Sequence, residues 1–179
     1  MRKRIFDVVE VPKDIHVTID GHLLKLTRAG NIVEKELSYP AKHEGDKLII
    51  SHEKPTKNVK KLIKSSTAHI RNMIRGLENK YVYKMQICAV HFPMTVAIKG
   101  QELIIKNFLG EVKERKAKIL PGVNLKIEKE IIFIESHDKE KAGQTAANIE
   151  TATTINNRDR RVFQDGIYIT EKHKGARIK

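Results

Sequence analysis

Arg158, Arg160 and Arg161 lie just ahead of Phe163, an Asp165-Gly166 pair and Tyr168. Guanidinium forks match phosphate oxygens, and Tyr or Arg planes stack on exposed bases, so this run carries the residue types that RNA recognition needs. A surface loop anchored by a buried Phe163 and Tyr168 would have the same composition. Other candidates for chemistry are weaker. Ser136-His137-Asp138 has the three residue types of a hydrolytic triad. Side chains adjacent in sequence point to different sides, however, and cannot line up nucleophile, base and orienting acid. Its counterpart Ser51-His52-Glu53 falls at a similar strand-to-helix junction, where Ser and Asp serve as helix caps. The eight histidines show no His-x-x-x-His spacing, and Cys88 is the single cysteine, so the sequence offers neither a disulfide nor a cysteine-based zinc site. Cys88 itself reads as a small, half-buried strand residue. No glycine-rich phosphate loop occurs, and Asn107-Phe108-Leu109-Gly110 reads as a turn with an anchoring aromatic. The residues imply no enzyme, no metal site, no cofactor and no small-molecule substrate.

Charge points the same way. Lys+Arg 35 against Asp+Glu 22 leaves a net charge of +13 on 179 residues, which bears on partners more than on fold. The surplus is clustered. One cluster holds Lys54, Lys57, Lys60, Lys61, Lys64, Arg71 and Arg75; a second holds Lys113, Arg115, Lys116 and Lys118; a third holds Lys172, Lys174, Arg177 and Lys179 with no acid. Membrane binding would want bulky apolar residues opposite the charge, and the tail from Lys172 has only Ile178. No apolar run reaches the ~18–20 residues that span a bilayer, and no apolar leader follows Met1-Arg2-Lys3-Arg4, so the reading is a soluble, intracellular protein. Nucleic acid is the better polyanion. We place the contact on the second and third clusters together with Arg158, Arg160, Arg161 and Tyr168; the lysines at 57, 60, 61 and 64 compete.

The elements that must position these residues repeat. Val17-Thr18-Ile19-Asp20-Gly21 is matched by Val96-Ala97-Ile98-Lys99-Gly100 at an offset of 79, and Ser51-His52-Glu53-Lys54 by Ser136-His137-Asp138-Lys139 at 85. The residues gained are expected mostly between Gly110 and Ile131. Alternation of two predicts a hairpin around Gly21 and strands over 32–37 and 47–51. The period then changes: Val59, Leu62, Ile63, Ile70, Met73, Ile74 and Leu77 fall on one helical face, with Pro55 in the first turn and Gly76 at the end. A second helix is expected over 139–154, with Ala142, Ala146, Ile149 and Thr153 inward, and a last strand over 166–169. The expected architecture is α+β: two tandem copies of one small domain, 1–80 and 81–171, each with antiparallel sheets and one helix around a single core, then a basic tail, 172–179.

His69-Ile70-Arg71-Asn72-Met73-Ile74-Arg75-Gly76, Tyr83-Lys84-Met85, Ala89-Val90-His91-Phe92-Pro93, Asn107-Phe108-Leu109-Gly110-Glu111, Pro121-Gly122-Val123 and Arg160-Arg161-Val162-Phe163-Gln164-Asp165-Gly166-Ile167-Tyr168 resemble a universal ribosomal protein family. It is the sixth protein of the large subunit, called the ninth in eukaryotes. The likeness runs from about Pro12 to Lys172, and the Asp-Gly-Ile-Tyr ending resembles the archaeal and eukaryotic branch, with the short first copy resembling archaeal members. It implies a non-catalytic constituent of the large ribosomal subunit in the cytoplasm, made by internal duplication. The implied partners are large-subunit ribosomal RNA near the stalk base, neighbouring ribosomal proteins and, close by, translational GTPase factors. Charge alone would also allow an architectural DNA or chromatin protein, although neither a helix-turn-helix nor an apolar wedge in a basic arm is evident.

Binding to RNA should therefore be mainly electrostatic. With about six phosphate contacts, raising salt from 50 to 200 mM should weaken binding on the order of a thousandfold; a salt-independent Kd contradicts the reading. Removing the residues after Glu171 should weaken RNA binding and leave Tm nearly unchanged, because that tail has too few apolar residues to build a core.

Overall fold

A computed structural model describes residues 5–53, 55–159 and 161–172. Arg160 and the tail residues Lys174, Arg177 and Lys179 lie outside the described residues. The chain forms two compact units that meet between Asn79 and Lys80. The first contains β1 (Ile5–Glu10), β2 (His16–Asp20), β3 (Leu23–Arg28), β4 (Asn31–Glu36), β5 (Lys42–Glu44), β6 (Lys47–His52) and α1 (Lys57–Glu78). The second contains β7 (Tyr81–Cys88), β8 (Thr95–Lys99), β9 (Glu102–Lys106), a 3-10 turn Phe108–Gly110, β10 (Arg115–Lys118), β11 (Asn124–Glu128), β12 (Ile131–Ser136), α2 (Lys139–Ala152) and β13 (Gly166–Lys172). Fold class is α+β.

Strand order is the same in both units. The first has a meander β2-β3-β4 and a sheet β1-β6-β5; the second has a meander β8-β9-β10 and a sheet β11-β12-β7-β13, all antiparallel. Only β13, added to the free edge of β7, lacks a counterpart. Alternation sets the buried faces: Leu24, Leu26, Leu48 and Ile50 pack under α1, while Leu103, Ile105, Ile132 and Ile134 pack under α2.

Register corrects one sequence expectation and refines another. The Ser-His-acid-Lys match is one residue out of phase with the strands: buried Leu48 and Ile50 correspond to buried Ile132 and Ile134, which makes His52, and not Ser51, the counterpart of Ser136. In the first unit the helix cap is Thr56, whose hydroxyl accepts from Val59 N at 3.3 Å. In the second, Asp138 Oδ1 accepts from Glu140 N at 2.9 Å, and Ser136 donates to Gly122 O, so those two residues build the junction. Pairing also locates part of the length gained by the second unit. Seven positions separate paired Leu26 and Val33, whereas ten separate paired Ile105 and Arg115. The loop between β9 and β10 is therefore enlarged, and it starts before Gly110.

Helix α1 departs from its expected face as well. Ser66 and Thr67 fill the stripe between Ile63 and Ile70, Leu62 is 43% exposed, and Gly76 is buried inside the helix, which ends at Asn79. The Thr67 hydroxyl lies 2.9 Å from Ile63 O, so a polar group is accommodated by bonding back along the helix. The first turn of α1 holds Lys57 and no acid, with Lys60 and Lys61 directly after it. Cations there oppose the helix dipole, typically by about 0.3–1 kcal/mol each, and Lys57/Lys61 and Lys60/Lys64 are like-charge neighbours. Asp138 and Glu140 give α2 the opposite, favourable arrangement.

Ile63→Ala should cost about 2–5 kcal/mol in urea unfolding, as a fully buried branched side chain. Leu62→Ala one residue earlier should stay within about 0.5 kcal/mol. Equal costs would contradict this placement of the α1 face.

Candidate nucleic-acid interface

Three loops of the second unit converge: residues 89–94 after β7, 107–114 between β9 and β10, and 153–165 between α2 and β13. They contain half of the segments on which the family resemblance rests. The first and third are joined by Asp165, whose side chain is 2% exposed. Its Oδ1 accepts from Val90 N at 2.7 Å and His91 N at 2.9 Å, and its Oδ2 lies 2.6 Å from His91 Nδ1, which carries the proton when it faces a carboxylate. Burial pushes the Asp165 carboxyl up, but the hydrogen bonds from His91 and Val90 outweigh it and hold the group below the ordinary carboxylate range. The buried Thr153 hydroxyl accepts from Ile167 N at 3.0 Å and anchors the other end of the long loop.

From this latch a stack builds outward. The His91 ring packs on Phe163 with centroids 4.8 Å apart, and the Arg158 guanidinium lies 4.8 Å above the same Phe163 ring. No ion pair of Arg158 occurs among the described residues, so its plane is held while its donors remain open. The middle loop joins through Asn107 Nδ2, which donates to Pro93 O at 2.9 Å, and through Gly110, packed beneath the Phe92 ring. Asn107, Leu109 and Gly110 all have positive φ, at 58°, 51° and 79°. For Leu109 this is a strained conformation, of the kind proteins retain where a loop has work to do. Beyond it stands Val112, fully solvent-exposed, next to Lys113.

The expected site residues separate into groups. Arg158, Arg161 and Lys113 are exposed on the loop cluster; among the described residues the Arg161 side chain pairs with its neighbour Asp159, at 2.9 Å. Lys116 and Lys118 are exposed, on either side of the buried Ala117 of β10, and Lys116 is paired with Glu102 at 3.1 Å. Arg115 does not belong with them. Its Nε and Nη2 donate to the Glu111 carboxylate at 2.8 and 2.6 Å, and its Nη1 donates to Ala152 O at 2.9 Å and Thr154 O at 3.0 Å. The guanidinium covers the buried Phe108 ring at 4.2 Å. Arg115 thus supplies the cation that the last turn of α2 lacks and satisfies its terminal carbonyls. The hydrogen bond from Arg115 in turn holds the Glu111 carboxyl low. Tyr168 is half-buried, donating to Asp165 O at 3.3 Å with its ring over Gly166, where a Cβ would come within 2.9 Å. Lys172 is exposed at the end of β13. Phe163 is half-buried rather than fully enclosed.

Sequence reasoning missed the His91–Asp165 latch. Asp165 read as a turn residue, and no local spacing announces a bond to a residue 74 positions away. Burial, with the charges of Glu130 and Asp165, raises the Cys88 pKa, the opposite of the lowering that activates a thiol. Among the described residues no group of three or more His, Cys, Asp or Glu could hold a metal ion.

The "Ribosomal protein L6" family model matches residues 92–166, from the first of these loops to the end of the third. Two archaeal proteins, each named "Large ribosomal subunit protein uL6", are similar over almost the whole chain. That of Methanococcus vannielii is 40% identical over 171 residues, covering 94% of both chains. That of Sulfurisphaera tokodaii is 39% identical over 172 residues, covering 94% of this chain and 92% of the relative.

The depressed Asp165 pKa fixes the direction of a pH effect. Its stabilisation is present above the unfolded value near 4 and is lost as pH falls through the lower folded value. Asp165→Asn should cost about 1–3 kcal/mol at pH 7 and remove this acid-dependent component from the Tm profile. A variant as stable as the parent at pH 7 contradicts the latch.

Proposed function

The chain belongs to the ribosomal protein L6 family, constituents of the large ribosomal subunit, and on that premise we propose that the loop end of its second unit binds large-subunit ribosomal RNA. The observation that carries the proposal is the Arg158–Phe163–His91–Asp165 stack, which holds an exposed guanidinium, with no ion pair among the described residues, over a buried anchor. A pre-set fork loses little side-chain entropy when it meets a phosphate. Lys113 and Arg161 add charge at the same end, and Phe92 and Val112 offer exposed apolar surface against which a base or ribose can pack. Arg115 is not part of this contact; it shapes the loop that presents it.

The family resemblance supports a location near the stalk base, close to where translational GTPase factors dock, with neighbouring ribosomal proteins alongside. It also supports a structural role without catalysis. Matching strand order, together with the sequence repeat, supports an origin by duplication of one domain, in which the second copy gained a longer β9–β10 loop and β13. A DNA-binding architectural role has no feature of the fold in its favour beyond charge.

Replacing Lys113, Arg158 and Arg161 together by Gln should weaken binding to a large-subunit ribosomal RNA transcript by at least about tenfold per lost contact and flatten the salt dependence by about one power per contact. Tm should be nearly unchanged, since all three side chains are exposed. Unaltered affinity would overturn the assignment.

A further inference from the structure

We propose that the outer face of α1 is a second RNA-binding surface, separate from the loop cluster, and that it grips the phosphate backbone of an A-form helix without reading sequence. On a helix with 3.6 residues per turn, the exposed Lys57, Lys60, Lys61, Lys64 and Arg71 fall within a stripe about 100° wide, while Arg75 in the same line is half-buried with its Nε enclosed. This stripe is turned away from Ile63, Ile70 and Ile74, which are fully buried. From Lys57 to Arg71 it runs about 21 Å, a span that meets several successive phosphates. From Lys57 to Leu77 the helix holds no acid. Among the described residues the only ion pair of these five exposed cations is Lys64 with Asp7, at 3.2 Å. Ala68 lies in the middle of the stripe and keeps its profile low, so the flanking cations can close on one backbone.

The sister unit serves as an internal control. Helix α2 occupies the same place in the same strand order, yet begins with Asp138 and Glu140 and mixes acids with lysines along its exposed side. The frame therefore does not require a cationic helix. In α1 the cations oppose the dipole and one another, an arrangement that helix stability disfavours and a bound polyanion rewards. Between polyanions, RNA fits better than an acidic peptide. The stripe follows one helix over four turns, and no large apolar side chain lies among its cations, whereas a protein partner would be anchored in apolar pockets. This surface does not depend on the loop cluster, and each can fail alone.

The test uses the full chain carrying Lys57→Gln, Lys60→Gln, Lys61→Gln and Arg71→Gln, leaving the Lys64–Asp7 pair intact. Binding is measured to a generic A-form RNA duplex and to polyglutamate across a salt series, with Tm recorded. The expected result is a salt slope lower by about three to four for the duplex, with Tm unchanged or raised. An unchanged slope overturns the proposal, and so does a loss confined to polyglutamate. The Lys113/Arg158/Arg161 variant, measured on the ribosomal transcript, reports on the loop cluster independently.

Discussion

The buried Asp165 carboxylate is the constraint on which the loop end of the second unit depends. It sits where β13 begins beside the end of β7, and it receives three N–H donors from the loop that leaves β7. Everything outward follows in order: the carboxylate fixes His91, His91 supports Phe163, and Phe163 carries the Arg158 plane. A cation on a free loop would spend side-chain entropy on every phosphate it met. Here that ordering is done by folding, and the donors are left open. Arg115 performs the equivalent task for the neighbouring loop by closing the end of α2 and pinning Glu111.

One frame, used twice, thus presents charge in two different ways. In the second unit the basic groups are few, aimed, and seated on loops held by buried hydrogen bonds. In the first they form a continuous stripe on a helix whose own electrostatics they worsen. The contrast is informative because strand order and core placement are shared; what differs is the surface, where partners are chosen.

Much of this was legible in the sequence. Period-two alternation located the hairpin around Gly21 and the strands over 32–37 and 47–51, and the change to a helical period located α1, whereas β1, β5, β10 and β11 were not singled out. The failures have physical causes. Leu62 looked like a core residue because its spacing fits the stripe, but Ser66 and Thr67 take the inner positions by bonding within the structure. Arg115 counted as a surface cation because composition cannot see two carbonyls and a Phe ring waiting for it. The Ser-His-acid match misled by one residue, which in a strand is the difference between the two faces. Asp165 joins elements 74 positions apart, and single-sequence periodicity carries no signal for such a pair.

The most direct test of the account is to crosslink the full chain to large-subunit ribosomal RNA and map the crosslinked peptides by mass spectrometry. The account predicts one group of crosslinks at Lys113, Arg158 and Arg161, the exposed cations of the latched loops, and a second at Lys57, Lys60 and Lys61 of α1. Crosslinks that avoid the loop segments 89–94, 107–114 and 153–165 and gather on the strand faces around β5 or β11 would contradict it.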